Sequence, residues 1–540
     1  MSFGRKCGDA GPYKESRALI RYGMILAAFS ALPLTGCMVG PNFTTPKTST
    51  AAQYLPVDGA LPTGAVSDAE WWDNFGDPVL DHLIQLGYQD NLSLQVAGVR
   101  VLQARAQLAA AVGELYPQQQ AISGAYTDSI QSRASPTFIP GTNPNIEYAQ
   151  IGLSASWEID FWGKYRRAIQ ADDAAFLGSI DAYDAALVSL TASIAQTYIA
   201  ICTLQAQIAV AEVNVNDQAE SLRIATVQYN SGQTSMLDVE QAQTQLGITE
   251  ASVPTLKAQL QTEKDALAVL LGLTPDKVDA LLTGSTAIPV APSGVAVGIP
   301  KDLLRLRPDV QEAELQAANQ SALLGVAKAQ LYPALSISGT FGFEAGNTAG
   351  ASMGDLFKWS SHAVSLGPSV QIPIFNYGQL TNQVRAQDAA FEQSILNYQN
   401  VVLQAQQEVQ DAIANFAEAQ NTVTVLTTAN ASSEQSVKLA MIRYVDGASD
   451  YTTVLNAEQA QLQVQNSLAE AQGNVPQAVV SLYSALGGGW QIAQGHDVVP
   501  DSVKADMAAR TNWGGLLTPE NHAAPANGAA QIRQTYVPDW

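Results

Sequence analysis

The stretch QLYPALSISGTFGFEAG, residues 330–346, decides the fold. Within it, LSISGTFGF alternates strictly: Leu335, Ile337, Phe341 and Phe343 share one side, and Ser, Thr and one Gly share the other. This period of two predicts a β-strand with one apolar and one polar face. The same alternation and an internal repeat predict four strands in all, at about 118–130, 148–160, 334–343 and 363–375.

Most of the chain consists of two copies of one sequence unit. FWGKYRRAIQADDAAF (161–176) matches NYGQLTNQVRAQDAAF (376–391), and matched glycines such as Gly163 and Gly378 stand at one constant offset. Each copy runs helix, LYP, strand, loop, strand, very long helix, glycine turn, helix. We therefore divide the chain into repeat 1 (75–272, hairpin tip 230–235), a linker (273–300), repeat 2 (301–487, hairpin tip 445–450) and a tail (488–540).

The predicted long helices are unusual. No proline occurs between Lys164 and Val253, and a helix from Lys164 to Tyr229 would be about 100 Å long. Such a helix must pack along other long helices rather than wrap a compact core. The uncharged run 185–211 is not interpreted as a membrane span, because it is rich in Ser, Thr and Gln and its copy at 400–426 contains acids.

The N-terminus has the features of a bacterial secretory signal. The apolar run MILAAFSALPL (24–34) follows two arginines and is too short to span a membrane as a helix. It ends in LTGC, which resembles the cleavage motif of lipoproteins. We predict a signal peptide at 1–36, lipidation (including palmitate) of Cys37, and an anchored linker at 37–74. An ordinary signal with a chance cysteine is the alternative.

Composition narrows the possible functions. The net charge is −22, which disfavours nucleic acid as a partner. Three cysteines, one of them in the leader, allow no disulfide framework or metal motif. The four histidines are scattered, and no catalytic or phosphate-binding motif is present. We predict no enzyme activity, no cofactor and no metal.

Four strands with one apolar and one polar face are typical of a transmembrane β-barrel. Four strands cannot close around a water-filled interior, and open edges are not tolerated in lipid. Several chains must therefore pool their strands: three chains would give twelve, and four would give sixteen. A soluble sandwich edge would show the same alternation, but it leaves the long helices unexplained.

Five motifs together resemble the outer membrane efflux proteins, the TolC-like outer membrane factors, and in particular their lipoprotein branch. They are LTGCMVGPNF, WWDNFGDPVLDHLI, SWEIDFWGKYRRA, the stretch from 303 to 333, and RYVDGASDYTTVLNAEQ. The resemblance implies a mainly α fold with a small membrane β part. Three copies would pool their strands into a 12-stranded β-barrel in the outer membrane, and their long helical hairpins would form a periplasmic α-barrel. Expected partners are a periplasmic adaptor, a proton-driven inner-membrane pump and outer-membrane lipid.

The resemblance also assigns roles to particular residues. The turns at Gly232 and Gly447 would form the periplasmic tip that docks the adaptor. Tyr444 matches an aromatic residue of the gate that closes the tip. The acidic gate positions of the family are Thr453 and Asn456 here, so this chain departs from the pattern. Four nearby acids are candidates to replace them, and of these we take Asp450 and Asp238 as gate residues; the other two are Asp446 and Glu240.

The function that follows is a passive outer-membrane conduit of a tripartite efflux system, carrying small molecules such as drugs and toxic compounds. Two alternatives remain open from the sequence. The first is an exit duct for protein or peptide export with a secretion ATPase. The second is a periplasmic coiled-coil scaffold lipoprotein that transports nothing.

Overall fold

The computed structural model describes residues 37–48, 69–284, 287–291, 307–347 and 352–518. The predicted signal peptide, much of the anchored linker and the end of the tail lie outside these residues. The chain divides into two compact units. The first, the sheet unit, is built from the described residues within 37–40, 115–167 and 325–381. The second, the helical unit, contains the other described residues.

The sheet unit is a four-stranded antiparallel meander in the order β1-β2-β3-β4. Loops join β1 to β2 and β3 to β4 at one end of the sheet, and helices continue from the other end. We call these the loop end and the helix end. The strands are β1 (Gln119–Ile130), β2 (Asn145–Ile159), β3 (Ala334–Gly346) and β4 (His362–Gln371).

The strand register aligns the apolar residues in rows across the sheet. Ile122 pairs with Leu153, Leu153 with Phe341, and Phe341 with Val364. The adjacent row on the opposite face runs through Ser154, Thr340 and Ser365 with Ala121. Because side chains alternate between faces, one face of the sheet is apolar and the other is lined by small polar residues.

The fourth strand differs most from its predicted bounds. It begins at His362 and ends at Gln371, four residues before the predicted end at 375. Pro368 lies inside it, opposite Ile337. Proline is compatible with this strand because β4 is an edge strand of the chain's sheet, where one row of backbone N–H groups has no ladder partner.

The helical unit contains two hairpins of long helices and several shorter helices. Their sequences are rich in Ala, Leu, Gln and Glu, which favour helix formation. The two long first arms, each 67 residues, continue into the sheet unit at their N-termini. The helices are α1 (Pro78–Asp90), α2 (Leu92–Gly113), α3 (Lys164–Asn230), α4 (Met236–Leu270), α5 (Val278–Leu281), α6 (Pro308–Ala329), α7 (Gln379–Val445), α8 (Tyr451–Ala485) and α9 (Asp501–Arg510).

Each arm of the two hairpins ends at a glycine in the left-handed region. After α3, Gly232 has φ +75°, and after α7, Gly447 has φ +69°. The N–H of Gly447 donates to Tyr444 O and that of Ala448 to Arg443 O, the Schellman pattern that satisfies the last carbonyls of a helix. Gly272 and Gly487 end α4 and α8 in the same way.

The second arm of each hairpin contains a proline that does not end it. Pro254 lies inside α4 and Pro476 inside α8. Among the described helices, α3 alone is long and apolar enough to cross a membrane, and 61% of its most apolar window is buried within the protein. Its burial identifies α3 as a core helix of the helical unit.

The start of α6 is fixed by one arginine. The Arg307 guanidinium binds both carboxylate oxygens of Asp309 at 3.0 and 2.7 Å, Glu408 at 2.7 Å and the carbonyl of Ala485 at 2.7 Å. Pro308 is the first residue of the helix, as its fixed φ favours. This cluster joins α6, α7 and the end of α8, so its role is structural.

Candidate functional site

The sheet is incomplete within one chain. All twelve residues of β1 are exposed, and both faces of β4 are largely exposed. Ile122 is 80% exposed and Leu366 is 78% exposed, although both lie in the apolar rows. Neither β1 nor β4 has a second strand partner among the described residues. Two free edges and an uncovered apolar face are therefore available to other molecules.

Aromatic residues gather at the helix end of the sheet. Trp162 stacks on Tyr332 with ring centroids 4.6 Å apart and meets Phe161 edge-on at 4.9 Å. The Trp162 indole N–H donates to Pro333 O at 2.8 Å. Aromatic rings with one apolar and one hydrogen-bonded side are typical of a membrane interface.

The turn from β2 into α3 is held by charged groups. Asp160 accepts the backbone N–H groups of Tyr165 and Arg166, which cap the start of the helix, and it also accepts the Arg166 side chain at 3.0 Å. Lys164 pairs with Glu158 at 3.2 Å. These hydrogen bonds and the ion pair therefore fix the conformation of the turn between β2 and the first residues of α3.

The residues that follow Cys37 are docked on this turn. We call residues 37–40 the anchor strap. Val39 N–H donates to Trp162 O at 3.0 Å, and the buried Arg167 donates to Val39 O at 3.1 Å and Gly40 O at 3.3 Å. Two extended residues span about 7 Å, so Cys37 is held close to the end of β2, and it is exposed.

Two glycines make room for the strap. A Cβ on Gly40 would lie 2.5 Å from Gly325 Cα, and a Cβ on Gly163 would lie 2.5 Å from Met38 Cγ. Both also have positive φ, +97° and +80°. The sequence motifs around these glycines gave no signal for this contact, because the residues that meet are far apart in the chain.

The two hairpin tips are open to solvent at their glycines. No atom lies within 4 Å of a Cβ built on Gly232 or Gly447. A side chain at either position would project into free space. The tips are therefore surfaces on which another molecule can sit.

Behind the tips, the structure brings two of the candidate gate residues together. The Tyr444 hydroxyl donates to Asp238 Oδ2 at 3.3 Å, and Thr234 also bonds that carboxylate. This contact joins the end of α7 to the start of α4, and thus links the two hairpins. Burial raises the pKa of Tyr444, so it remains a neutral donor at physiological pH.

The other three candidates are not part of this contact. Asp450 precedes α8 as its N-cap residue without a side-chain capping bond, and it is exposed. Thr453 and Asn456 are also exposed. Within one chain, Tyr444 therefore lies in a core, whereas Asp450, Thr453 and Asn456 face outward.

Sequence reasoning missed the residues that build this core. Tyr451 is 1% exposed and meets Tyr444 edge-on at 5.3 Å, and Val454 is fully buried beside it. Glu458 follows one turn later and is 5% exposed. The 3–4 spacing of 451, 454 and 458 is a heptad signal that could have located them.

Comparison with known proteins identifies the chain. Its sequence matches the family described as outer membrane efflux protein over residues 83–273 and 299–488. The chain belongs to the outer membrane efflux protein family. The two matched stretches cover most of the chain and correspond to its two copies.

Individual relatives agree with this family. The chain is 31% identical over 468 residues to nodulation protein T of Rhizobium leguminosarum bv. viciae, which covers 86% of this chain and 93% of that protein. It is 31% identical over 478 residues to the pyoverdine export outer membrane protein OpmQ of Pseudomonas putida, and the match covers 85% of this chain and 97% of OpmQ. The solved outer-membrane channel OprN superposes with a TM-score of 0.76 at 29% identity, covering 84% and 100%.

The family settles several predictions. The protein is an outer-membrane efflux channel with a TolC-like fold, as the sequence resemblance predicted. It is a conduit rather than an enzyme. Within the described residues, no group of His, Cys, Asp and Glu is arranged to hold a metal ion.

Proposed function

We propose that three copies of this efflux channel form one passive conduit for small molecules, which an inner-membrane pump and a periplasmic adaptor load from the periplasmic side. The observation that carries the pooling of strands between copies is the four-stranded sheet with two unpaired edges, and the resemblance to the family implies that the number of copies is three. A β-structure in lipid must close on itself, and four strands are too few to enclose a channel. Three sheets joined edge to edge give twelve strands.

The two faces of the sheet support this arrangement. The apolar rows through Phe341 and Leu366 would face lipid, and the rows through Ser154, Thr340 and Ser365 would line the water-filled lumen. Gly152 pairs with Gly342 in the polar face, and a Cβ on Gly342 would lie 2.6 Å from Ile151 O. Small residues here let the sheet curve tightly around the lumen.

The anchor strap supports lipidation of Cys37. The strap holds this exposed cysteine beside the aromatic cluster at the helix end of the sheet, where we propose that the inner surface of the outer membrane lies. An acyl chain on Cys37 would enter the same membrane as the barrel. Labelled palmitate should appear in the wild-type protein and be absent from Cys37→Ser. Equal labelling of both would refute the assignment.

The tips support adaptor docking. Gly232 and Gly447 lie at exposed turns with free space above them, and each turn is shaped by a positive φ that glycine adopts without strain. We assign these turns to the adaptor. We assign gating to Tyr444 with Asp238, and the selection of cations to Asp450, whose exposed carboxylates would form a ring in the trimer.

The small-molecule substrate class is supported by OpmQ, which is named for pyoverdine export. None of the three similar proteins named above is described as a protein exporter or a scaffold. We expect a proton-driven pump as the inner-membrane partner.

The test is the retention of a fluorescent dye in cells that keep the native adaptor and pump. Cells lacking this chain should retain more dye than wild-type cells. Expression of the wild-type chain in those cells should lower dye retention to the wild-type level. A Phe341→Lys chain, which we expect not to assemble, is the matched control. Equal retention with and without the chain would contradict small-molecule efflux.

A further inference from the structure

The contact between α3 and α8 has a regular antiparallel register. Asn214 Nδ2 donates to Gln465 Oε1 at 2.6 Å, and Ser221 Oγ donates to Glu458 Oε1 at 2.5 Å. In an antiparallel register, the residue numbers of two facing residues add to a constant, and both of these pairs add to the same value. Ala225 and Val454, nearer the tips, add to that value too and share a buried cluster. The two helices therefore meet along a heptad seam, like the strands of a coiled coil.

One stretch of this seam is polar although it is buried. We define the polar seam as Asn214, Gln218 and Ser221 of α3 with Glu458 and Gln465 of α8. The first four are at most 5% exposed. Both amide atoms of Gln218, and Glu458 Oε2, lack a hydrogen-bond partner among the described residues.

The polar seam is the weak part of this contact. A buried polar group without a partner destabilises the packing around it. Nearer the tips the seam is apolar, with Ala225, Tyr451 and Val454 packed together. The helices α3 and α8 are therefore held firmly next to the tips and only weakly one to three turns further along.

The protonation state of Glu458 determines how weakly the polar seam holds the two helices together. Burial, with Asp217 of α3 nearby, raises the pKa of Glu458 to about 7, and the Ser221 hydrogen bond opposes the rise. The other titratable groups around it are Tyr451 on its own helix and, behind that ring, Tyr444 of α7 and Asp238 of α4. None of these described groups is a cation. Ionised Glu458 would be a buried charge without a counter-ion.

We infer that the polar seam is a proton-controlled lock between α3 and α8, which is closed when Glu458 is protonated and released when Glu458 is ionised. The lock is a property of one chain. Its consequence, that release loosens the packing behind the tips and so makes their opening easier, rests on the proposed conduit. The latch between Tyr444 and Asp238 is a separate contact.

The direction of the pH effect follows from the pKa. An accessible Glu has a pKa of 4.5, and Glu458 in the closed seam has a pKa of about 7. Closure is therefore most favoured below pH 4.5, and it weakens as the pH rises to about 7. A difference of this size changes the closing equilibrium on the order of a hundredfold.

Hydrogen exchange by mass spectrometry of the purified full-length protein tests this. Peptides from 210–225 and 454–468 are followed from pH 5 to pH 8 in wild-type protein and in Glu458→Gln. The ratio of the two exchange rates at each pH cancels the intrinsic pH dependence of exchange. We expect this ratio to change at least tenfold across the range, because only the wild-type seam loosens with rising pH. A constant ratio would overturn the inference.

Three further variants provide one control and two independent tests. Glu470→Gln changes an exposed acid of the same helix and should behave as wild type. Ser221→Ala removes the opposing hydrogen bond and should move the midpoint to higher pH, whereas Asp217→Asn should move it to lower pH. Unmoved midpoints in both would also overturn the inference, even if Glu458→Gln failed to fold.

The channel current in planar bilayers separates the two proposals. With both correct, wild-type conductance rises between pH 5 and pH 8 and Glu458→Gln stays low. If no variant conducts while the exchange ratio still depends on pH, the conduit fails and the lock stands. If the channel conducts equally in both variants at every pH, the lock does not control the tips.

Discussion

The sheet and the hairpin tips differ in how completely one chain buries their apolar side chains. In the sheet, β1 is exposed along its whole length, and the apolar rows through Phe341 and Leu366 are uncovered. At the tips, Tyr444, Tyr451 and Val454 are buried among helices of the same chain. The sheet can be completed only by other molecules, whereas the core behind the tips is complete within one chain. Damage to the sheet should therefore abolish assembly, and damage to the tips should alter opening and docking in an assembled channel.

The largest effect is expected from a charge in the apolar face of the sheet. Phe341→Lys would place an ammonium group in lipid, at a cost of about 2–4 kcal/mol per chain near the bilayer centre. We expect at least a tenfold loss of heat-modifiable oligomer in outer-membrane extracts. Thr340→Lys, the next residue on the opposite face, is the matched control and should assemble. Equal losses in both variants would mean that the faces are wrongly assigned.

The strands could be predicted because alternation is a local signal. Leu335 to Phe343 shows its two faces without any knowledge of neighbouring strands. The bounds of β4 could not be predicted in this way. Pro368 lies in an edge strand of the chain's own sheet, and edge position depends on strand order, which periodicity does not encode.

The next effect concerns docking at the tip. Gly447→Leu meets no neighbouring atom and should cost about 1–2 kcal/mol through its positive φ alone. We expect normal assembly with at least a fivefold loss of dye efflux, because the new side chain projects into the docking surface. The matched control is Gly141→Leu, which has φ +97° and equally free space in the loop between β1 and β2. Retained efflux in Gly447→Leu would remove this turn from the adaptor interface.

A smaller effect is expected from the Tyr444 contact. Tyr444→Phe keeps the ring in the core and removes only the hydroxyl, which bonds Asp238 and Thr234; a hydrogen bond of this kind is worth about 1 kcal/mol. Single-channel recordings should show an open probability several-fold above wild type, with unchanged assembly. Tyr229→Phe, at the exposed end of α3, should not differ from wild type. If Tyr444→Phe also gates normally, the bond is structural.

The smallest effect is expected from Asp450. Asp450→Asn removes an exposed charge that makes no capping bond, so stability should be unchanged. If the three copies of Asp450 face the pore, the preference for cations should fall about twofold in reversal-potential measurements. Asp506→Asn, an exposed acid of α9, should leave the preference unaltered. No difference between the two variants would exclude Asp450 from the pore.

The tip was harder to predict than the sheet for a physical reason. Tyr444 and the two glycine turns were found because they belong to motifs that resemble the family. The partners of Tyr444 lie on other helices, at Asp238 and Tyr451, and only the packing of the hairpins brings them together. The anchor strap was missed for the same reason, because Gly40 and Gly325 are in contact although they are far apart in the sequence.

The pooling of strands by three chains is the central claim, and cross-linking the two sheet edges tests it most directly. Ser123→Cys in β1 and Ser365→Cys in β4 are joined by a short thiol-reactive linker, in a chain whose buried Cys202 is replaced by Ala. Within one chain these strands are about 14 Å apart, so a shorter linker can bridge only different copies. We predict a covalent ladder that ends at three chains. Uncross-linked monomer alone, or a ladder that continues beyond three, would contradict the account.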